Sequence, residues 1–230
     1  MTPYYQDEAV TIYHGDCREV LGAIALRADV LLTDPPYGVD FAGKTTKHTA
    51  ATGGYTTPDS DIGPEIVARL LPSVQRAAIF TGIRLMFQYP APRDIGCIYC
   101  PSGAGRGPWG FGCFNPLLYY GQAPPASRLS PASIHSFAMS DEDGHPCPKP
   151  RPWLAWALQR VSLEGEVVLD PFCGSGTTLE AAKRFGRIGL GIEIEERYCE
   201  LAANRCRQGA LRFADASENR AEALSPLLPL

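Results

Sequence analysis

Residues 28–33 read Ala-Asp-Val-Leu-Leu-Thr, a nearly continuous apolar run, and the chain then meets Asp34-Pro35-Pro36-Tyr37. No central strand continues through two prolines, because neither supplies an N–H to the ladder. An apolar run without alternation is what a strand covered on both faces requires. The segment therefore predicts a buried parallel strand whose carboxyl end carries an acid, two stiff residues and an aromatic ring.

The surrounding sequence supplies neighbours for such a strand. Ala9–His14 is rich in β-formers and ends at Gly15-Asp16, and Cys17–Leu26 places Val20, Leu21 and Ile24 on one helical face. Ile66–Leu71 predicts a helix, and Ala77–Thr81 a second buried strand closed by Gly82. The same rhythm returns late in the chain. Trp153–Val161 predicts a helix and Glu166–Leu169 a strand running into Asp170-Pro171-Phe172. The turn Cys173-Gly174-Ser175-Gly176 feeds a helix from near Thr177 with Leu179, Ala182 and Phe185 inward. Arg187–Ile194 is the next strand. Glu195–Gln208 is a helix with acids in its first turn, Arg205 and Arg207 in its last and Gly209 as terminator, all favourable to the helix dipole. Alternating strands and helices mean an α/β fold with a mainly parallel sheet.

The 230 residues, 45% of them hydrophobic, fit one domain. Its expected parts are a first half over 1–89, an insertion over 90–144 loaded with Pro, Gly and aromatic residues, a second half over 145–210 and a weakly patterned tail over 211–230. Short strands, including Leu117–Tyr120, and irregular loops are expected in the insertion, and residues 38–63 read as a long polar loop. No run of eighteen apolar residues exists and MTPYYQDEAV lacks a secretory pattern, so a cytoplasmic protein is expected. The eight cysteines are scattered and read as free buried thiols. Cys97-x-x-Cys100 has Cys113 and Cys147 as further candidate ligands, but no second pair completes a zinc site, and no metal is expected. A net charge of −4 argues against a protein that coats nucleic acid nonspecifically and leaves room for a locally basic cleft.

Two strand ends carry chemistry. Ligands of doubly wound sheets sit outside the carboxyl ends of the strands, where Asp34 and Asp170 both fall. At the second, Gly174 and Gly176 let a ligand approach the backbone, and the following helix offers unpaired N–H groups. Glu193 lies 23 residues beyond Asp170. That is near the offset of about 20 at which nucleotide-binding α/β proteins place an acid on ribose hydroxyls. The other reading of this turn is tight helix–strand packing. At the first strand end, Asp34 and the Pro35 carbonyl suit the two N–H bonds of a flat heteroaromatic amine, with Tyr37 stacking on its face. Such an amine is a poor nucleophile until its lone pair leaves conjugation, which two acceptors out of the ring plane bring about. The other reading here is a strand-ending turn.

Asp34-Pro-Pro-Tyr37, Asp170-Pro-Phe-Cys-Gly-Ser-Gly-Thr-Thr178 and Gly191-Ile-Glu-Ile194, in that order, closely resemble the amino methyltransferases of DNA. The order is that of their β class, a circular permutation in which the catalytic half precedes the cofactor half. The resemblance covers residues 9–208 and implies a Rossmann-like, S-adenosylmethionine-dependent methyltransferase sheet with a small recognition insertion. It implies a catalytic motif of Asp34, Pro35, Pro36 and Tyr37. It also implies cofactor contacts from Asp170, Phe172, Gly174, Ser175, Gly176 and Thr177, with Glu193 on the ribose and Asp16 on the adenine amino group. Lys149, in His145-Pro-Cys-Pro-Lys-Pro150, is implied to lie near the methionine carboxylate. Members acting on cytosine N4 usually carry serine where Asp34 stands, so adenine N6 is the expected target. The implied partners are DNA, with the base rotated out of the duplex, and as a candidate assembly a second copy of the chain. Lys44, Lys47, Arg84, Arg93, Arg106 and Arg128 are candidate DNA contacts. Cytosine-N4 transfer, an RNA amino methyltransferase and a non-catalytic subunit are the competing readings.

Overall fold

The computed structural model describes residues 1–24, 27–36, 62–100, 106–107, 110–124, 133–135 and 149–208. Its strands are β1 (Tyr5–Gln6), β2 (Val10–His14), β3 (Val30–Thr33), β4 (Arg76–Phe80), β5 (Asp94–Tyr99), β6 (Arg106–Gly107), β7 (Gly110–Phe111), β8 (Phe114–Gly121), β9 (Ile134–His135), β10 (Val167–Asp170) and β11 (Ile188–Glu193). Helices are α1 (Cys17–Ala23), α2 (Gly63–Leu70), α3 (Arg151–Val161), α4 (Thr177–Arg184) and α5, over 196–208.

Nine strands form one sheet in the order β1-β2-β11-β10-β3-β4-β8-β5-β9, and β6 and β7 pair apart from it. From β2 to β4 every neighbour pair is parallel, and β8 enters antiparallel against both β4 and β5. This is the mainly parallel, circularly permuted sheet that the motif order implies, since the strand before Gly174 (β10) comes late in sequence yet sits at the centre.

Side chains alternate across the sheet as period-two geometry demands. Val30 and Leu32 of β3, with Ala78 and Phe80 of β4, pack under Trp153, Leu154, Ala157 and Leu158 of α3. Leu31, Ala77 and Ile79 face the opposite layer, where Val20 and Leu21 of α1 and Ile66, Val67 and Leu70 of α2 cover them. All four residues of β3 are buried, as the unbroken apolar run predicts. A third cluster packs α5, through Cys199, Ala202, Ala203 and Cys206, against Val10, Ile12 and Leu179.

Several boundaries differ from expectation. α1 stops at Ala23 because Ile24 turns extended (φ −104°, ψ 147°). α2 begins at Gly63, so the polar loop read over 38–63 ends sooner; its residues up to 61 lie outside the described ones. β5 and β8 fall within the stretch read as an insertion, yet both are integral strands of the main sheet. Tyr37, Lys44, Lys47, Arg128, His145, Cys147 and Gly209 also lie outside the described residues. Among those described, no helix is long and apolar enough to cross a membrane.

Candidate active site

The chain runs from β10 through α4 to β11 towards one edge of the sheet, and from β3 through α2 to β4 towards the other. The direction reverses between β10 and β3, and a crevice opens at such a switch point outside the strands' carboxyl ends. Asp34 and Asp170 stand there on adjacent, directly paired strands. Thr33 Oγ1 donates to Asp170 Oδ1 across the junction at 2.6 Å.

At the β3 side, Asp34 is part-buried and Lys149 Nζ donates to its Oδ2 at 2.6 Å. The ammonium also lies 5.9 Å from the centroid of the Phe80 ring at the end of β4. Lys149, implied by resemblance to lie near a carboxylate of the cofactor, thus meets the carboxylate of Asp34. Pro35 is buried and rests against the first residue of α2. A Cβ on Gly63 would come to 2.5 Å from Pro35 Cβ and 2.7 Å from the Tyr89 hydroxyl. Only a residue without a side chain lets α2 start this close to the Asp34 tip. Sequence reasoning missed Gly63 because its role depends on a proline far upstream.

At the β10 side, burial pushes the Asp170 carboxyl up to about 6, against hydrogen bonds from Thr33, Thr178 and the Phe172 amide that favour its charged form. Glu193, at the end of β11, accepts from Gly174 N at 2.9 Å and Glu195 N at 2.8 Å. Burial outweighs both and raises it to about 7. Gly15 N donates to Glu193 O at 2.9 Å, which brings Asp16 to the same sheet edge. Asp16 caps α1 through Arg18 N at 2.9 Å, and Arg18 pairs with its carboxylate and lowers its pKa.

The glycine turn is clamped from below. Gly176 has φ +81°, and a Cβ there would sit 2.6 Å from Ala202 Cβ, so α5 packs directly on the turn. From that helix, Arg205 donates to Ser175 Oγ at 3.2 Å and to Thr177 Oγ1, all three side chains being buried. The hydroxyls of Ser175 and Thr177 are therefore turned to Arg205, and the turn presents backbone to the crevice. Arg205, read from sequence as a helix-dipole partner, is a brace for this turn. Its signal was weak, since a last-turn arginine is ordinary in any helix.

Among the candidate DNA contacts, Arg84 and Arg93 are exposed. Cys17, Cys97, Cys173, Cys199 and Cys206 are free, buried thiols, and burial pushes Cys17 to about 11 and Cys199 and Cys206 to about 12. Among the described residues no three of His, Cys, Asp or Glu gather as metal ligands.

A family described as DNA methylase, of the N6/N4 type, matches residues 119–204, which takes in the glycine turn and Glu193. M.HpaI of Haemophilus parainfluenzae, a type II methyltransferase, is 33% identical over 95 residues, 39% of this chain and 30% of that protein. M2.DpnII of Streptococcus pneumoniae, also a type II methyltransferase, is 44% identical over 61 residues, 26% of this chain and 23% of that protein. Over residues 119–204 the chain is similar to the N6/N4 DNA amino-methyltransferases. The order of its motifs, Asp34–Tyr37 before Asp170–Thr178, is that of the family's β class. The matched stretches span less than a third of these curated relatives. Solved structures carry the fold further: M1.HpyAVI, in complex with SAM, superposes with a TM-score of 0.62 at 20% identity, covering 86% of this chain and 98% of that one. The PvuII methyltransferase, cytosine-N4-specific, gives 0.62 at 15% identity, covering 88% of each chain.

Proposed function

We propose that this chain transfers a methyl group from S-adenosylmethionine to the N6 amino group of adenine in DNA. The observation that supports this best is the Thr33–Asp170 hydrogen bond at 2.6 Å, because it ties the strand end of Asp34 to that of the glycine turn within one crevice.

The residues present fit the cofactor. Each Glu193 oxygen accepts one backbone N–H. An ionised carboxylate has about four acceptor positions, so a ribose diol is still accommodated. The backbone of 174–177, stiffened by Arg205, is suited to the methionine part, with Phe172 and Asp170 beside it and Asp16 towards the adenine. When bound, S-adenosylmethionine supplies an electrophilic methyl group. Asp34 and the Pro35 carbonyl accept the two N–H bonds of the target amine and draw its lone pair out of conjugation. Pro36 stiffens the turn and Tyr37 stacks on the base. Lys149 fixes the direction in which the Asp34 carboxylate points, and correct alignment is worth several orders of magnitude in rate. The target amine is buried in a duplex, so the base must rotate out to reach Asp34.

Asp34 in the first position of the motif favours adenine by resemblance. The similarity to the cytosine-N4-specific PvuII enzyme favours the second reading, transfer to cytosine N4. Incubating DNA with labelled S-adenosylmethionine, digesting it and weighing the nucleosides separates the two: N6-methyldeoxyadenosine is expected. Asp34→Ala is expected to keep cofactor binding and lose transfer by about 10²-fold or more. Full activity in that variant removes the mechanism, and label entering RNA alone redirects the substrate.

A further inference from the structure

Beyond the crevice, one turn is built unlike the rest of the surface. Directly after β4, residues 83–88 coil tightly, with Leu85 N and Met86 N both donating to Gly82 O at 3.0 Å and Gln88 N to Leu85 O at 2.8 Å. Leu85 and Met86 pack into the core beneath, and Tyr89 is 6% exposed. Phe87 stands outward on this hydrogen-bonded base at 81% exposure. Every other exposed large apolar residue described lies between 36% and 47%, apart from the terminal Met1 at 62%. Ile83, four residues earlier in the same turn, is 46% exposed, and Arg84 and Gln88, each next to one of these two in sequence, are exposed as well.

The turn also sits at the Asp34 tip. Phe80, three residues before Ile83, lies against Lys149, and the Tyr89 hydroxyl and Pro35 Cβ both fall within 2.7 Å of the same point over Gly63. Single exposed apolar side chains are ordinary on a protein surface; Phe87 is set apart by standing 81% exposed on a hydrogen-bonded turn next to the Asp34 tip, where the target base of the proposed reaction must arrive. The occupant that the neighbouring charge and amide favour is a nucleic-acid duplex: a phosphate for Arg84, base edges for Gln88 and a base step for the ring.

We propose that Phe87, backed by Ile83, is the wedge that enters the duplex beside the target base and occupies the stack when that base rotates towards Asp34. The inference rests on the reading of the chain as a DNA methyltransferase. Apolar wedges are a general means of unstacking a base step. Arg84 anchors the adjacent phosphate, which gives the wedge its register without reading sequence.

The test compares full-length wild type with Phe87→Ala and Phe87→Leu on three substrates containing the methylated site found by sequencing DNA from expressing cells. These are a matched duplex, the same duplex with an abasic position opposite the target, and the single strand. Phe87→Ala is expected to lose about tenfold or more on the matched duplex and to recover to within about threefold on the two opened substrates. Phe87→Leu, still an apolar wedge, is expected to fall between. With 2-aminopurine at the target, the fluorescence rise on binding should diminish in Phe87→Ala. Equal loss on all three substrates, or none on the matched duplex, overturns the wedge while leaving the methyltransferase reading intact. Absence of transfer by wild type to every DNA overturns both.

Discussion

Glu193 is a carboxylate that the fold buries and then supplies with two backbone donors, and burial prevails. With its pKa lifted from an ordinary 4.5 to about 7, the ligand-free folded protein holds its proton longer than the unfolded chain does. The sign follows from linkage: stability from this group is full below the ordinary carboxylate range and is lost as pH rises through about 7. Asp170, raised to about 6, acts in the same direction over a slightly lower window. Ribose hydroxyls donate best to the charged carboxylate, so cofactor affinity should move the opposite way. Between roughly pH 5 and pH 8, the ligand-free Tm is expected to fall while the Kd for S-adenosylmethionine tightens. Glu193→Gln should flatten the affinity profile and leave only the lower part of the Tm slope, that of Asp170. Calorimetric titration at several pH values checks this, and an unchanged pH profile in the variant would assign the titration elsewhere.

At the scale of elements, α2 and the Asp34 tip are fitted to each other through Gly63. Gly63→Ala places a methyl group 2.5 Å from Pro35 Cβ, so the tip or the helix must shift. Overpacking of this kind costs about 1–3 kcal/mol. A displacement of about 1 Å at an aligned site costs on the order of 10²-fold in rate. The expected result is a modest fall in Tm, an unchanged Kd for the cofactor and a transfer rate reduced on that order. A proportional loss of both binding and rate would instead mean that the whole crevice had moved. The same contact shows where the sequence was legible. β3, β4, β10 and β11 announce themselves because a strand buried on both faces has no freedom to be polar, and Asp34 and Asp170 are read at their ends for that reason. Asp94–Tyr99 is not legible as a distinct strand, since its Gly96, Cys97 and exposed Ile95 and Tyr99 carry no alternation of their own; β8 supplies its pairing. Gly63 sits at the end of a polar run and looks like loop, because what demands it is a proline from another element. Arg205 looked like a dipole partner for the same reason: its real partners, Ser175 and Thr177, belong to a different helix start.

For the whole molecule, the pairing of β3 with β10 joins the early and late halves of the sequence into one core. Val30 and Val168 lie in register, both share a cluster with α3 and α4, and Thr33 hydrogen-bonds Asp170 at the crevice floor. Neither half closes its sheet without the other, so ligand energy received at the glycine turn must be felt throughout. At a cofactor concentration about 100 times Kd, binding adds about 2.7 kcal/mol. For a chain of this length that raises Tm by roughly 5–11 °C. The shift is expected in a single transition, reported alike by fluorescence of Trp153 and Trp156 in α3 and by far-ultraviolet circular dichroism. Two transitions, with only the later one moved by ligand, would mean that the halves fold as separate units. Thr33→Val sharpens the test, because it removes the bridging hydroxyl from a residue that belongs to the Asp34 strand. Leaving a buried carboxyl short of one partner costs about 1–3 kcal/mol, and if the core is shared, that loss must appear both as a lower Tm and as weaker cofactor binding at the far side of the junction.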